Sequence, residues 1–121
     1  MVNSKKIKNF KDLRIWQESI GLVEQIYRIT KKFPKEELYG IVNQIRRSAV
    51  SLPSNIAEGF MRHHNKEFKQ FLFITLASSA EVETQLIISH KLKYITKQKL
   101  DELSENIDKL NRMIMTLIKR L

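Results

Sequence analysis

Apolar residues recur every three or four positions through almost the whole chain, the pattern of helices that each bury one face. The first run follows Asp12 and places Leu13, Trp16, Ile20, Val23 and Tyr27 on one stripe. A second stripe on a neighbouring face, Ile15, Leu22, Ile26, Ile29 and Phe33, has similar spacing. One stripe suffices for a bundle helix, so the second is expected to need a further surface to cover it. That expectation makes Ile15, Leu22, Ile26 and Ile29 candidates for an oligomer interface. Phe33-Pro34 ends the helix, because the residue before a proline is pushed out of the α region.

Helix two is expected from Lys35-Glu36-Glu37, whose acids suit the positive end of a helix dipole. Its stripe is Leu38, Ile41, Ile45, Ala49, Leu52, Ile56 and Phe60. Pro53 removes a backbone donor and clashes with the Ala49 carbonyl, which predicts a kink or short break there. Ser54 and Asn55 could bond the backbone groups so freed. Gly59 and the polar Arg62-His63-His64-Asn65 mark a turn, with Asn65 as the expected N-cap of helix three. That helix carries Phe68, Phe71, Leu72, Thr75, Ser79, Val82 and Leu86, and the small residues from Ala77 to Ala80 predict a close helix crossing. Thr96 is the expected cap of helix four. Its stripe of Leu100, Leu103, Ile107, Leu110, Ile114, Leu117 and Leu121 alternates threes and fours, as a bundle seam does. Short connections make successive helices antiparallel neighbours. The predicted fold is therefore all-α, an up-down-up-down antiparallel four-helix bundle over residues 12–121, with helix two kinked near Pro53. A basic segment over residues 1–11, free to be flexible, precedes it.

Composition narrows the function classes. With 42% hydrophobic and 29% charged residues in 121, the chain has the makings of one globular core. There is no Cys, so disulfide and thiolate chemistry are excluded. No apolar leader follows Met1, and the apolar run from Phe71 to Ala80 is about half a membrane span. A cytoplasmic protein without a membrane partner is expected.

Charge points to the partner. Lys and Arg number 22 against 13 Asp and Glu, a net +9 that favours anionic partners. The topology gathers Lys5, Lys6, Lys8, Lys11, Arg14, Arg62, Lys66, Lys69, Lys119 and Arg120 at one end, against Asp12 and Glu67. Self-association with like ends together would pool these into a face that attracts phosphate in a salt-dependent way. Arg14, Arg62, Lys66, Lys69, Lys119 and Arg120 are the candidate nucleic-acid contacts.

No catalytic, metal or cofactor site is expected. Carboxylate-bridged metal bundles need Glu-x-x-His, and none of the three His has Glu three residues before it. His63-His64 point apart on one turn, and no glycine-rich phosphate loop is present. Arg46 and Arg47 flank the stripe of helix two while Glu81 and Glu83 lie mid-helix in helix three, so an Arg–Glu pair is expected to bridge them and set register. The functional reading of these arginines is contact with phosphate. Glu58 and Arg62 form an i,i+4 pair.

Phe10-Lys11-Asp12-Leu13-Arg14-Ile15-Trp16-Gln17, Phe33-Pro34 with Glu37-Leu38-Tyr39-Gly40, Gln44-Ile45-Arg46-Arg47-Ser48-Ala49 and Pro53-Ser54-Asn55-Ile56-Ala57-Glu58-Gly59 resemble the four-helix bundle proteins encoded in intervening sequences of bacterial 23S ribosomal RNA genes, also labelled the ribosomal protein S23 family. Phe68 to Leu72 and Glu81 to Leu86 extend the likeness over nearly the whole chain. Gln44, Arg46, Arg47, Pro53, Asn55, Glu58 and Gly59 are the motif residues, with a structural or a binding role. The resemblance implies a homo-oligomer, a ring-shaped pentamer. It also implies kinship with the accessory protein of diversity-generating retroelements, which binds nucleic acid and a reverse transcriptase, so a reverse transcriptase is a partner by analogy. The expected function is a non-enzymatic homo-oligomeric bundle that binds RNA or DNA through a basic end. The alternative is an oligomeric protein scaffold that docks an acidic partner.

Overall fold

The structure is a computed structural model and describes residues 7–121. A 3-10 turn, Phe10–Asp12, leads into α1, Arg14–Thr30, and a second 3-10 turn, Lys35–Glu37, precedes α2, Ile41–Met61. A short reversal then enters α3, Asn65–Lys91, and a second leads to α4, Lys97–Arg120. The described residues form no strand, and the four helices make the expected bundle.

Helix four needs no surrounding structure to explain it. The Thr96 side chain accepts a hydrogen bond from the Lys99 N–H at 3.1 Å, satisfying one of the donors that a helix start leaves open. Leu100, Leu103, Ile107, Leu110 and Ile114 are buried along one line, as expected. In the last turn Ile118 replaces Leu117 as the buried residue, because a helix of 3.6 residues per turn drifts away from a strict seven-residue repeat.

Helix two differs from expectation at its start, and at Pro53 it is unbroken. Lys35 to Glu37 form a 3-10 turn, and Leu38 is 47% exposed and not part of a buried stripe. Gly40, at φ −108 and ψ −118, interrupts the chain before the helix begins. Nor is there a break at Pro53, which lies buried inside a continuous helix. The Asn55 amide donates to the Ser51 carbonyl at 2.8 Å and the Ser51 hydroxyl to the Ser48 carbonyl at 2.6 Å. A mid-helix proline costs about 3 kcal/mol. Full burial of Ala49, Leu52 and Ile56 around it offsets that, at about 1.5–3 kcal/mol for each large aliphatic side chain.

The core is closed by aromatic pairs at each end. Phe10 meets Trp16 edge-on at 5.5 Å and Phe60 meets Phe68 at 5.9 Å, while Phe33 and Tyr94 lie 5.3 Å apart at the other end. Ile7 and Phe10 pack on the core, so the described part of the N-terminal segment belongs to the domain. Its first six residues, with Lys5 and Lys6, lie outside the described residues. Most buried hydroxyls are satisfied within their own helices: Ser19, Thr30, Thr75 and Ser89 each donate to a carbonyl three or four residues back.

The α2–α3 pair is the most extensive contact and α1–α4 the loosest seam between adjacent helices. The close approach of α2 and α3 is made by Gly59, where an added Cβ would lie 2.6 Å from Phe71 Cβ. In the Ala77–Ala80 stretch Ser78 and Ser79 are buried while Ala77 and Ala80 face outward. Ser79 joins α3 to α4 by donating to Asn111 Oδ1 at 2.8 Å.

Helix one reverses the expected faces. Ile15, Leu22 and Ile26 are buried in the chain's own core and offer no free interface, while Ile29 is half-buried and keeps part of its surface in an open groove between α1 and α4. Trp16, Ile20 and Val23 are the half-buried side and Tyr27 is exposed. Helix α3 carries four of the exposed apolar residues, Phe73 at 52%, Ile74 at 48%, and Ile87 and Ile88 each at 42%, with others at Leu38, Tyr39, Met61 and Leu92. By length and composition α3 could also cross a membrane, and only a third of that stretch is buried in the bundle.

Candidate nucleic-acid interface

The antiparallel topology brings the start of α1, the α2–α3 reversal and the end of α4 to one end of the bundle. Arg14 opens α1, Lys66 and Lys69 lie in the first turns of α3, and Lys119 and Arg120 close α4. The last two sit where the helix dipole favours a cation. Arg14, Lys66 and Lys69 sit where it disfavours one, by about 0.3–1 kcal/mol each. Local placement against the dipole is the kind of cost that functional positions carry.

The two ends differ in net charge rather than in pairing, since Lys31, Lys32, Lys35, Lys91 and Lys93 at the far end also have no carboxylate within 4 Å among the described residues. At the far end Lys97 meets Asp101 at 2.6 Å and Lys99 meets Glu102 at 3.1 Å. Among the described residues Arg14, Lys66, Lys69, Lys119 and Arg120 have no carboxylate within 4 Å. Arg62 is different, because it pairs with Glu58 at 2.9 Å and its guanidinium lies 5.1 Å from the Phe71 ring. That commits part of its donor set, and it is the weakest of the expected contacts.

The α2–α3 reversal is built tightly. His63 takes a left-handed conformation at φ 61, and His64 precedes the helix without a side-chain cap. Asn65 is not the N-cap but the first helical residue, and its buried Oδ1 has no hydrogen-bond partner. His63 and His64 are both exposed, and among the described residues no three of His, Cys, Asp and Glu converge on a metal position.

Beside this end, the loose α1–α4 seam opens into a groove of about 440 Å³. Ile7, Met113 and Leu117 supply apolar wall, while Arg14, Lys109, Arg112 and Arg120 supply charge, against Asp12 alone. Lys109 is partly committed to Glu18 at 3.1 Å. Lys109 and Arg112 were not among the expected contacts, which came only from the helix ends. Their signal was available: positions 109, 112, 116 and 120 follow one another along a single face of α4.

The motif residues mostly hold the bundle together. No Arg–Glu pair joins α2 to α3 among the described residues. Arg46 instead donates through Nε to Thr30 Oγ1 at 2.9 Å and lies 4.5 Å over the Tyr27 ring, so it ties α2 to α1. Arg47 shares an open, wholly polar groove with Gln44 and Glu81 but forms no ion pair there. Pro53 is buried, Asn55 bonds the helix backbone, Glu58 holds Arg62, and Gly59 sets the α2–α3 spacing.

A four-helix bundle with an excess of cations at one end and exposed apolar residues on its third helix defines the class of protein. Residues 11–116 match the family described as 23S rRNA-intervening sequence protein, and the chain belongs to that family. It is similar to the crystal structure of a protein of unknown function from the S23 ribosomal protein family of Bacteroides thetaiotaomicron. The two share 24% identity and a TM-score of 0.80 over 87% of this chain and 95% of the other. That likeness is one of fold. No curated protein sequence matches this chain.

Proposed function

We propose that this protein is a non-enzymatic, homo-oligomeric bundle that binds RNA or DNA through its basic end. The observation that carries the reading is the concentration at one end of Arg14, Lys66, Lys69, Lys119 and Arg120, none with a carboxylate partner among the described residues, against Asp12 and Glu67. The other end sets seven lysines against Glu36, Glu37, Asp101 and Glu102, a smaller excess. The exposed Phe73, Ile74, Ile87 and Ile88 of α3 support self-association, since large apolar side chains left in water on one helix suit a contact with another surface. A ring of five is the assembly that the family resemblance favours, and pooling five basic ends would multiply the phosphate contacts.

The decisive experiment is a titration of fluorescent single-stranded and duplex RNA and DNA across a range of salt. The logarithm of affinity is expected to fall linearly with the logarithm of salt, by roughly 0.9 for each phosphate neutralised on duplex DNA and somewhat less on a single strand. Reversing charge at Lys66, Lys69, Lys119 and Arg120 should reduce both affinity and slope while leaving the helix content unchanged. A binding curve insensitive to salt, or to those four changes, would remove nucleic acid from the account. Solution mass tests the assembly: Ile74→Glu, at a position already half in water, should yield a folded protein of lower mass. If the unaltered chain already runs as a monomer at micromolar concentration, there is no oligomer to disrupt.

A further inference from the structure

At the end of the bundle opposite the basic one, Arg46 is immobilised with most of its donors unspent. It occupies the second turn of α2, half-buried, and its Nε–H donates to Thr30 Oγ1 at 2.9 Å. Thr30 is itself fixed, because its buried hydroxyl donates to the Ile26 carbonyl at 2.7 Å. The Tyr27 ring, 4.5 Å from the guanidinium carbon, braces it further. An arginine has five N–H donors in a rigid fork. One is used by Thr30, and Nη2 reaches the Tyr27 carbonyl only at 3.5 Å, the limit of hydrogen-bond range. Among the described residues no carboxylate lies within 4 Å of the group. Tying two helices together needs a single donor, so the rest of the fork and its charge are surplus to that role.

Arg46 also lines an open cleft of about 340 Å³. Phe33, Pro34, Leu38 and Val42 give this cleft apolar walls, and Lys31 and Lys35 add two more cations. No acid lines it. Of the two carboxylates on the adjoining turn, Glu37 is taken up by the Tyr94 hydroxyl at 2.7 Å.

We propose that this cleft docks an acidic peptide, a segment of a partner protein in which a carboxylate neighbours an apolar side chain. The carboxylate takes the free nitrogens of Arg46, whose planar fork matches it in a two-bond contact. The apolar side chain covers Leu38, which is 47% exposed at the cleft wall. A phosphodiester backbone could satisfy the cations but offers nothing apolar to cover Leu38, and its burial is what favours a peptide. Because Arg46 loses much of its freedom on folding, little conformational entropy remains to be lost on binding. This site is separate from the basic end and does not depend on the nucleic-acid reading.

The test uses the full chain, ¹⁵N-labelled, and the peptide acetyl-Gly-Glu-Leu-Phe-Glu-Gly-amide, with Glu→Gln and Leu-Phe→Ala-Ala versions as controls. The readout is the Arg46 Nε–H resonance, identified by its absence in Arg46→Lys. The acidic peptide should shift it to saturation, with each control peptide about tenfold weaker, the worth of one charge-assisted bond or one buried side chain. Leu38→Asp, at an exposed wall position, should weaken the peptide by a similar factor and leave RNA binding at the basic end unchanged. That variant keeps the test valid even if Arg46→Lys loosens the bundle. A resonance unmoved by millimolar peptide, or Leu38→Asp binding as the unaltered protein does, would overturn the proposal. So would a single-stranded RNA that displaces the peptide from the same resonance.

Discussion

Replacing Gly59 by Ala probes the α2–α3 contact most directly. Gly59 is buried in the last turn of α2, and a methyl group there would stand 2.6 Å from Phe71 Cβ, 3.1 Å from Phe68 Cδ1 and 3.2 Å from Phe71 Cγ. Carbon atoms pack best at about 3.5–4.0 Å, so the first contact is roughly 1 Å too short. Phe71 Cβ is bonded to the α3 backbone and does not move by rotamer change, so the helices themselves must separate. Overpacking of this kind costs about 1–3 kcal/mol, and the immobility of the opposing atom places it in the upper half. Alanine returns about 1 kcal/mol over glycine inside a helix. The net expectation is a loss of about 1–2 kcal/mol, or roughly 4–8 °C in Tm for a domain of this size. Gly21→Ala is the internal control, since a methyl there meets nothing within 4 Å. It should gain about 0.5–1 kcal/mol from helix propensity alone. Urea and thermal denaturation of both variants give the comparison. Gly59→Ala as stable as the unaltered chain, with Gly21→Ala stabilised, would refute the claim that the missing side chain sets the helix spacing.

Three further outcomes follow from single contacts. The hydrogen bond to Glu37, with burial and the Glu37 and Glu36 charges, raises the pKa of Tyr94 above its ordinary value of 10.0. A raised folded-state pKa means that this contribution is complete below about pH 10 and lost as pH climbs through the higher folded value. An ultraviolet titration should therefore show one late phenol whose midpoint falls in Glu37→Gln; an identical curve in that variant contradicts the assignment. Lys93 sits at φ 66 just past α3, so Lys93→Gly should stabilise by about 0.5–1 kcal/mol, the left-handed strain relieved less the added freedom of the unfolded chain. A destabilised Lys93→Gly in chemical denaturation would mean that the lysine makes a compensating contact. Ile107→Ala, at a fully buried core position, should lose about 2–5 kcal/mol by the same assay, and a loss below 1 kcal/mol would indicate that the bundle closes over the cavity.

The basic end and the groove beside it have different origins. The end is a product of topology: four helices with short reversals put both described chain ends and the α2–α3 turn together, and the charges were already at those places in the chain. The groove arises because α1 and α4 are the least closely packed neighbours. Arg112 gains its position from that gap, which no local pattern announces.

What the amino-acid sequence decided by itself is what depends on near neighbours. Helix existence, the stop at Phe33-Pro34, the Thr96 cap and the buried lines of α2 from Ile45 to Phe60 and of α4 from Leu100 to Ile114 all follow from spacing and end chemistry within a few residues. Helix one shows the limit. Its two apolar stripes obey the same period, and only the surfaces presented by α2 and α4 select Ile15, Leu22 and Ile26 for the inside. The start of α2 is another case, because Glu37 is held in its turn by Tyr94, fifty-seven residues further along the chain. Helix three shows both sides: its spacing announced the buried line of Phe68, Leu72, Thr75, Ser79, Val82 and Leu86, but not that Phe73, Ile74, Ile87 and Ile88 would be left outside. Arg46 had carboxylates on a neighbouring helix as its expected partners and found Thr30 on another. Periodicity fixes how often a side chain returns to a face, whereas the rotation of one helix against its neighbours is chosen by packing between residues far apart in the chain, and that choice belongs to the tertiary structure.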